Sequence, residues 1–306
     1  MSSATRPGRS PRTLIGLWLT APYALYLIAV YGAPIVEGLR ISFLNYVYAA
    51  PGASIPEPFV GLRNYRTALA DPQLRQAFVN ILEYLAVNVP LTVVLGLSLA
   101  AALARLTRKK TFLRPTLLHS VFFVPYITAG VAVIGVWYYL FSQGGLINRL
   151  LGTLAPDPSW LVNSKLAMIV IALEVTWKQL GFYILLYLAG ILLIPRSLYE
   201  AATIDGAGTL RRFRSITVPG VRDITTLTIT FSVIDGASLF TEPYLLTGGG
   251  PYGTSVSPAL LIYQKGVEQD DPALGAAIGM LLTVFVLVVA GISRRLQRRL
   301  QTGGRS

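Results

Sequence analysis

Few residues in this 306-residue chain are equipped to make or break bonds. It has no cysteine and a single histidine, His119. Thiol catalysis, disulfides and Cys-based metal sites are excluded. A His-ligated metal site lacks ligands, and a Ser-His-Asp triad would have to use His119, beside Ser120 at the start of an apolar run. The residues that stand out instead are ionisable groups inside apolar runs, where a charge is costly and marks a functional candidate. Glu174 and Lys178 stand four apart, a spacing at which one helix face carries both and each charge neutralises the other. They read either as a buried structural ion pair or as the border of a polar pathway. Trp177 and Gln179 flank Lys178. Gly181 follows, where another backbone can approach closely or the helix can unwind. Ser232, Asp235, Gly236 and Ser238 form a second polar patch. Tryptophan faces stack on sugar rings, while amides and charges bond hydroxyls. The chemistry on offer is recognition of a polar solute.

These groups need apolar elements to hold them. The chain is 53% hydrophobic and 13% charged, where a soluble domain carries roughly a quarter charged residues. Several apolar runs exceed the roughly 18 residues that cross a bilayer. The reading is an all-α polytopic membrane protein with six transmembrane helices, near 14–36, 79–104, 115–141, 166–193, 222–246 and 274–293. Backbone groups in lipid must be satisfied within the segment, hence helices throughout. The fifth run is the least regular, because Asp223, Asp235 and Glu242 punctuate it. Residues 1–13 are rich in Pro, Ser and Arg and read as a disordered basic N-terminus. The apolar run after them is too long for a signal peptide and reads as a retained span. Residues 294–306 read as a basic cytoplasmic tail.

A net charge of +12 raises the question of nucleic acid. The basic residues, however, lie in short clusters beside the spans, as topology determinants do. Eighteen of the 26 Lys and Arg fall before the first span, after the second, after the fourth and after the sixth. Seven fall on the opposite side, and Lys178 lies within a span. Both termini are therefore placed in the cytoplasm. Glu83 in the second span reads as snorkelling to the interface. Trp137, Tyr138 and Tyr139 fit an outer aromatic belt. Asp71-Pro72 predicts a helix start with Pro at the first helical position. The external segments 37–78, 142–164 and 247–273 are long enough either to dock an outside partner or merely to cap the helices.

Between the fourth and fifth runs lies the polar stretch EAATIDGAGTLRRFRSITVP, residues 200–219. Ser197 and Glu200 have the spacing of a capping box. A helix from Leu198 puts Leu198, Ala201, Ala202 and Asp205 close to one face. Gly206 breaks it and Gly208-Thr209 can restart it. Leu210, Phe213 and Ile216-Thr217 then form an apolar stripe, with Arg211, Arg212 and Arg214 elsewhere. Two readings stand. The pair lies on the membrane surface with arginines on phosphates, or it is presented to a soluble partner.

Glu200-Ala201-Ala202, Asp205-Gly206-Ala207, Ile216 and Pro219 resemble the EAA signature of the membrane subunits of binding-protein-dependent ABC importers. Val218 stands where that family usually has Leu, and Asp223 where a further Pro is frequent. The resemblance spans nearly the whole chain. WLTAPYALYLIAVYGAPIVEGLRISF is similar to the first span of sugar-importer permeases, and FVGLRNYRTALADPQLRQAFVN to their external segment. LAGILLIPRSLYEAA is similar to their approach to the coupling loop, with Leu192 where Gln is common. YLLTGGGPYGTS is similar to their Gly-Gly-Pro segment. Together these point to the maltose-type branch.

The resemblance implies a type I ABC importer permease fold over 14–293. Its coupling loop, 197–219, would carry Glu200, Ala201, Ala202, Asp205, Gly206, Ala207, Phe213, Ile216 and Pro219 against an ATPase. It implies a second, homologous permease, two ATPase subunits, an external solute-binding protein and a bacterial or archaeal cytoplasmic membrane. Substrate contacts are implied at Trp177, Gly181, Ser232 and Gly236. Ile184 and Leu239 stand at positions where more polar or aromatic contacts occur. Lys178, Asp235 and Ser238 complete the expected pathway. The chain carries no P-loop of the G-x-x-x-x-G-K-[ST] type. ATP and Mg are therefore expected on the partner ATPases, with no cofactor, metal or catalytic site on this chain. The alternative is an ion-gradient-driven secondary transporter using Asp235 or Glu174 and Lys178 as a proton relay. A membrane-embedded enzyme is the poorer rival. The solute is left open among disaccharides, oligosaccharides and glycerophospho-compounds.

Overall fold

The computed structural model describes residues 11–48, 56–108 and 122–302. The expectations for residues 1–10, for His119 and Ser120, and for the first residues of the third span lie outside the described residues. The apolar runs wind as helices, as backbone satisfaction in lipid requires. Helices α1 (Pro11–Leu27) and α2 (Ala33–Ser42) are joined by a π-helical turn, Ile28–Gly32, into one first span. This helix is already formed at Pro11, inside the stretch expected to be disordered. Helix α3 (Arg63–Ala70) precedes the long α4 (Pro72–Arg108). As predicted, α4 starts at Pro72, and the Asp71 carboxylate accepts the Gln73 N–H at 2.8 Å. Asp71 also pairs with Lys265 at 3.0 Å, pinning the helix start to the distant π-helical turn Gln264–Glu268.

The third expected span is broken. Helix α5, over 122–127, stops at Thr128-Ala129, and α6 (Gly130–Phe141) restarts. The Thr128 hydroxyl donates to the Val124 carbonyl at 2.7 Å at this break. Then follow α7 (Leu146–Leu151) and α8 (Ala167–Leu193), the latter an unbroken fourth span. Next come α9 (Arg196–Ile204), α10 (Thr209–Arg212), α11 (Val218–Gly220), α12 (Arg222–Ala237), α13 (Pro258–Tyr263) and α14 (Pro272–Thr302). Helix α14 continues well past the expected end of the sixth span.

Among the described residues five helical stretches are long and apolar enough to cross a membrane: Trp18–Ser42, Pro72–Leu106, Gly130–Leu154, Ala167–Leu193 and Pro272–Ile292. The fifth expected span, 222–246, differs. Helix α12 closes at Ala237, where the Ser238 N–H turns back to the Ile234 and Asp235 carbonyls. The chain resumes as a π-helical turn, Pro243–Thr247. Of the acidic residues that made this run irregular in sequence, Asp235 and Glu242 flank the interruption, while Asp223 lies in the first turn of α12.

Helices α4 and α8 pack along each other at the centre. Ile81 and Tyr84 of α4 meet Ile171 and Val175 of α8 in one core cluster, joined by Val233 of α12. Further along, Leu97 and Ala100 meet Ile184, Tyr187 and Ile191. Because lipid is as apolar as these side chains, association depends on close fit and on interhelical hydrogen bonds. Both are present. Asn88 donates to Thr176 across the α4–α8 interface at 2.9 Å. Gly236 of α12 lies against α4 so closely that a Cβ there would sit 2.9 Å from Leu85. Asn80 of α4 donates to the Gly253 and Val256 carbonyls, both at 2.8 Å, fastening the segment after TGGGP onto the second span.

Candidate functional site

Two places on this scaffold gather functional side chains. The first is the helix pair after α8. Helix α8 ends at Leu193, and Pro195 supplies the N-cap position of α9 without a side-chain cap. The expected capping box is therefore not formed. The helix starts at Arg196, one residue before Ser197, which moves Ser197 into the first turn. The C-terminus matches expectation in detail. Gly206 has φ +74°, the left-handed conformation that glycine adopts without penalty. Its N–H bonds to the Thr203 carbonyl at 3.1 Å, and the Ala207 N–H reaches the Ala202 carbonyl at 2.8 Å. These are the paired closing bonds of a Schellman motif. Gly208 then serves as N-cap of α10.

The pair is fastened on one side and open on the other. Tyr199 and Thr217 share a hydrogen bond at 2.9 Å, and Arg212 bonds the Thr203 hydroxyl at 2.6 Å. Phe213 and Ile216 pack against the cluster of Leu97, Ala100, Ile184, Tyr187 and Ile191. Leu210, expected in the same stripe, instead faces out at 61% exposure, with Leu198 at 51% and Ile204 at 87%. Glu200, Ala201, Asp205, Gly206 and Pro219 are exposed, while Ala202 and Ala207 are half-buried. Ala202, Asp205, Ala207 and Ile216 line a notch of about 230 Å³ that Arg211 and Arg212 border. Of the expected coupling residues, Ala202, Asp205, Ala207 and Ile216 meet in this notch, Glu200, Ala201, Gly206 and Pro219 are exposed outside it, and Phe213 packs inward.

The second place is a cavity of about 300 Å³ between α5, α8 and α12. It is lined by Tyr126, Gln179, Phe182, Tyr183, Phe231 and Asp235. Gln179, Phe182 and Tyr183 share one face of α8 by their i, i+3, i+4 spacing. Tyr126 stacks on Phe182 with ring centroids 5.5 Å apart, and Phe231 lies 6.3 Å from Phe182. The Tyr183 hydroxyl donates to Asp235 at a long 3.5 Å, and Ser232 donates to Tyr183 at 3.4 Å.

Of the expected pathway residues, Asp235 alone lines this cavity. Ser232 is buried behind Tyr183, and Gly236 is buried on α4. Ser238 bonds its own helix at Ile234, at 3.4 Å. Trp177 faces Trp137 at 6.1 Å, in an aromatic run that continues through Phe141 to Trp160. Ile184 and Leu239 are both core residues. Gly181 does admit a close backbone approach: a Cβ there would sit 2.0 Å from the Phe122 carbonyl oxygen. Gly181→Ala should force α5 off α8 and destabilise the protein by about 2 kcal/mol, the cost of overpacking a close interface. A thermal midpoint equal to wild type would show that this contact contributes nothing. Sequence reasoning missed Tyr126, Phe182, Tyr183 and Phe231. The aromatic face of α8 was visible as a spacing, but its pairing with α5 and α12 was not.

The charge pairing also differs from expectation. Glu174 and Lys178 were expected to neutralise each other. Glu174 is fully buried, and its carboxylate oxygens find no hydrogen-bond partner among the described residues. Lys178 instead pairs with Glu242 at 3.2 Å. Its ammonium passes Gly130, where an added Cβ would lie 3.0 Å from it. Helical spacing put the two α8 residues on one side, but the nearer anion comes from the chain after α12. Glu83 lies on the exposed face of α4.

The fold is a multi-helix membrane protein with a solvent-exposed helix pair between α8 and α12. Residues 92–302 match the family of binding-protein-dependent transport system inner membrane components, and the chain belongs to that family. It is 32% identical over 285 residues to the arabinooligosaccharides transport system permease protein AraP of Bacillus subtilis (strain 168), covering 90% of this chain and 86% of that one. It is 35% identical over 236 residues to the trehalose/maltose transport system permease protein MalF of Thermococcus litoralis, covering 76% and 78%. A bacterial ABC transporter that imports the acidic polysaccharide alginate shares the fold. Its TM-score is 0.73 at 20% identity, over 94% of this chain and 98% of that one. The chain is a multi-pass inner-membrane permease subunit of a binding-protein-dependent ABC importer.

Proposed function

We propose that this permease subunit carries a sugar or sugar-like solute, with both termini and the basic clusters in the cytoplasm. Separate ATPases drive it through Glu200, Ala201, Ala202, Asp205, Gly206 and Ala207. The observation that carries this reading is the helix pair itself, its two halves joined by Tyr199–Thr217, packed on the spans through Tyr199, Phe213 and Ile216, and open on its other face. A partner that seats on Leu198, Ile204, Leu210 and the Ala202–Ala207 notch moves a body already tied to α8 and α12. Pro219, exposed at the junction into α12, belongs to the same moving unit. ATP and Mg act on the ATPases, and this chain supplies neither a cofactor site nor a catalytic site. A second, homologous permease completes the membrane core, and an external binding protein delivers the solute. Permeases of arabinooligosaccharide and trehalose/maltose systems are among the relatives, which supports a sugar. The aromatic cavity at α5, α8 and α12 has the ring faces and polar groups to receive one.

The test is co-expression with a second permease, an ATPase and a binding protein from the same gene cluster, followed by reconstitution into vesicles. The complex should contain two ATPase subunits per permease pair. Uptake of trehalose, maltose or an arabino-oligosaccharide should need ATP and loaded binding protein, and should persist when ion gradients are collapsed. Replacing Gln179 or Phe182 by Ala should cut uptake about tenfold or more without disassembling the complex. Uptake by this chain alone, or uptake lost with the gradient at constant ATP, would overturn the reading.

A further inference from the structure

We propose that Asp235 makes the cavity between α5, α8 and α12 a charge filter. It accepts uncharged or amino-bearing sugars and rejects anionic ones such as uronates, sugar phosphates and sulfonates. The proposal rests on the sugar-import reading and narrows it.

Asp235 is exposed and lines the cavity, and it makes no ion pair among the described residues. The other lining groups, Tyr126, Gln179, Phe182, Tyr183 and Phe231, are uncharged. Lys178, the cation within α8, is committed to Glu242 at 3.2 Å. Tyr183 touches the carboxylate only at 3.5 Å, so most of its acceptor capacity faces the cavity.

Two further features carry the same sign. Asp235 stands in the last turn of α12, which closes at Ser238, and the C-terminal end of a helix carries partial negative charge. Aromatic faces present the negative lobe of their quadrupole, which attracts cations and polarised C–H groups. Carboxylate, helix end and rings therefore act together. A neutral sugar meets an acceptor for its hydroxyls and rings for its C–H faces, and an ammonium gains a counter-ion. A sugar carboxylate about 5 Å from Asp235, at an effective dielectric near 20, is disfavoured on the order of a hundredfold. The alginate importer with this fold handles an acidic polymer. Cargo charge is thus not set by the fold, which leaves the binding protein and the side chains in the cavity to set it.

The experiment uses the purified importer complex without its binding protein, so that the binding protein's own selectivity does not enter. Saturation-transfer NMR at millimolar to tens of millimolar ligand compares methyl glucoside, glucosamine and methyl glucuronide. Glucoside and glucosamine should bind at least tenfold more tightly than glucuronide. Asp235→Asn should bring glucuronide within about threefold of glucoside and remove the advantage of glucosamine, while Asp235→Glu should keep the wild-type order. Equal binding of glucoside and glucuronide by the wild type, or an unchanged ratio in Asp235→Asn, would overturn the filter. If neither protein binds glucoside while ATP-driven sugar uptake is intact, the cavity is not a sugar contact and the filter fails alone. If the wild-type complex imports no sugar at all, the import reading itself fails.

Discussion

Gly206→Pro should abolish coupled transport. Gly206 holds φ +74° and donates its N–H to the Thr203 carbonyl. Proline fixes φ near −65° and has no N–H, so the turn between α9 and α10 loses both its conformation and its closing bond. The local cost is about 3 kcal/mol, enough to unseat Ala207 and the Ala202–Ala207 notch. ATP-driven uptake should fall at least tenfold, with ATPase released or cycling without response to loaded binding protein. Ala201→Trp separates docking from folding. Ala201 is exposed, so tryptophan should leave the permease folded while blocking the surface offered to the ATPase. Pull-down, ATPase rate with and without loaded binding protein, and vesicle uptake are the readouts. Normal coupling in both variants would reduce residues 197–219 to a surface loop.

The second large effect is expected at Lys178. Its ion pair with Glu242 is mostly shielded, with side chains 22% and 12% exposed. Removing one partner strands the other charge in a poorly solvated place, which costs about 3 kcal/mol for such pairs. Lys178→Ala or Glu242→Ala should therefore lower the thermal midpoint of the assembled importer by several degrees. The double variant should cost less than the sum, because neither charge is then left alone. The exchanged pair, Lys178→Glu with Glu242→Lys, should recover part of the loss. Strictly additive single effects would show that the pair contributes nothing of its own. The pair also joins α8 to the segment after α12 beside Gly130, where α6 restarts after the break, so transport should suffer along with stability.

The sequence by itself determined the features that depend on local chemistry and on lipid. Apolar run length demanded helices across a membrane, and among the described residues five such stretches are present. Asp71-Pro72 started α4, and Gly206 ended α9, because proline geometry and left-handed backbone are properties of single residues. The capping box at Ser197 and Glu200 failed for an equally local reason: with Pro195 at the N-cap, the helix begins two residues early, at Arg196. The continuous third and fifth spans were wrong where periodicity hid a break, at Thr128-Ala129 and at Ser238. Hydrophobic length cannot register a helix that stops inside an apolar run.

Tertiary structure alone decided the partners. Lys178 has an anion four residues away on its own helix, yet it bonds Glu242, 64 positions along the chain. Ser232 and Gly236 share α12 with Asp235. Side-chain direction, however, sends the serine behind Tyr183 and the glycine onto α4, while the carboxylate faces the cavity. Tyr126, Phe182 and Phe231 carry no signal as a set until three helices bring their rings together. Helical spacing fixes which residues share a face, but only the packing of α4 against α8, with α12 across them, fixes what each face meets.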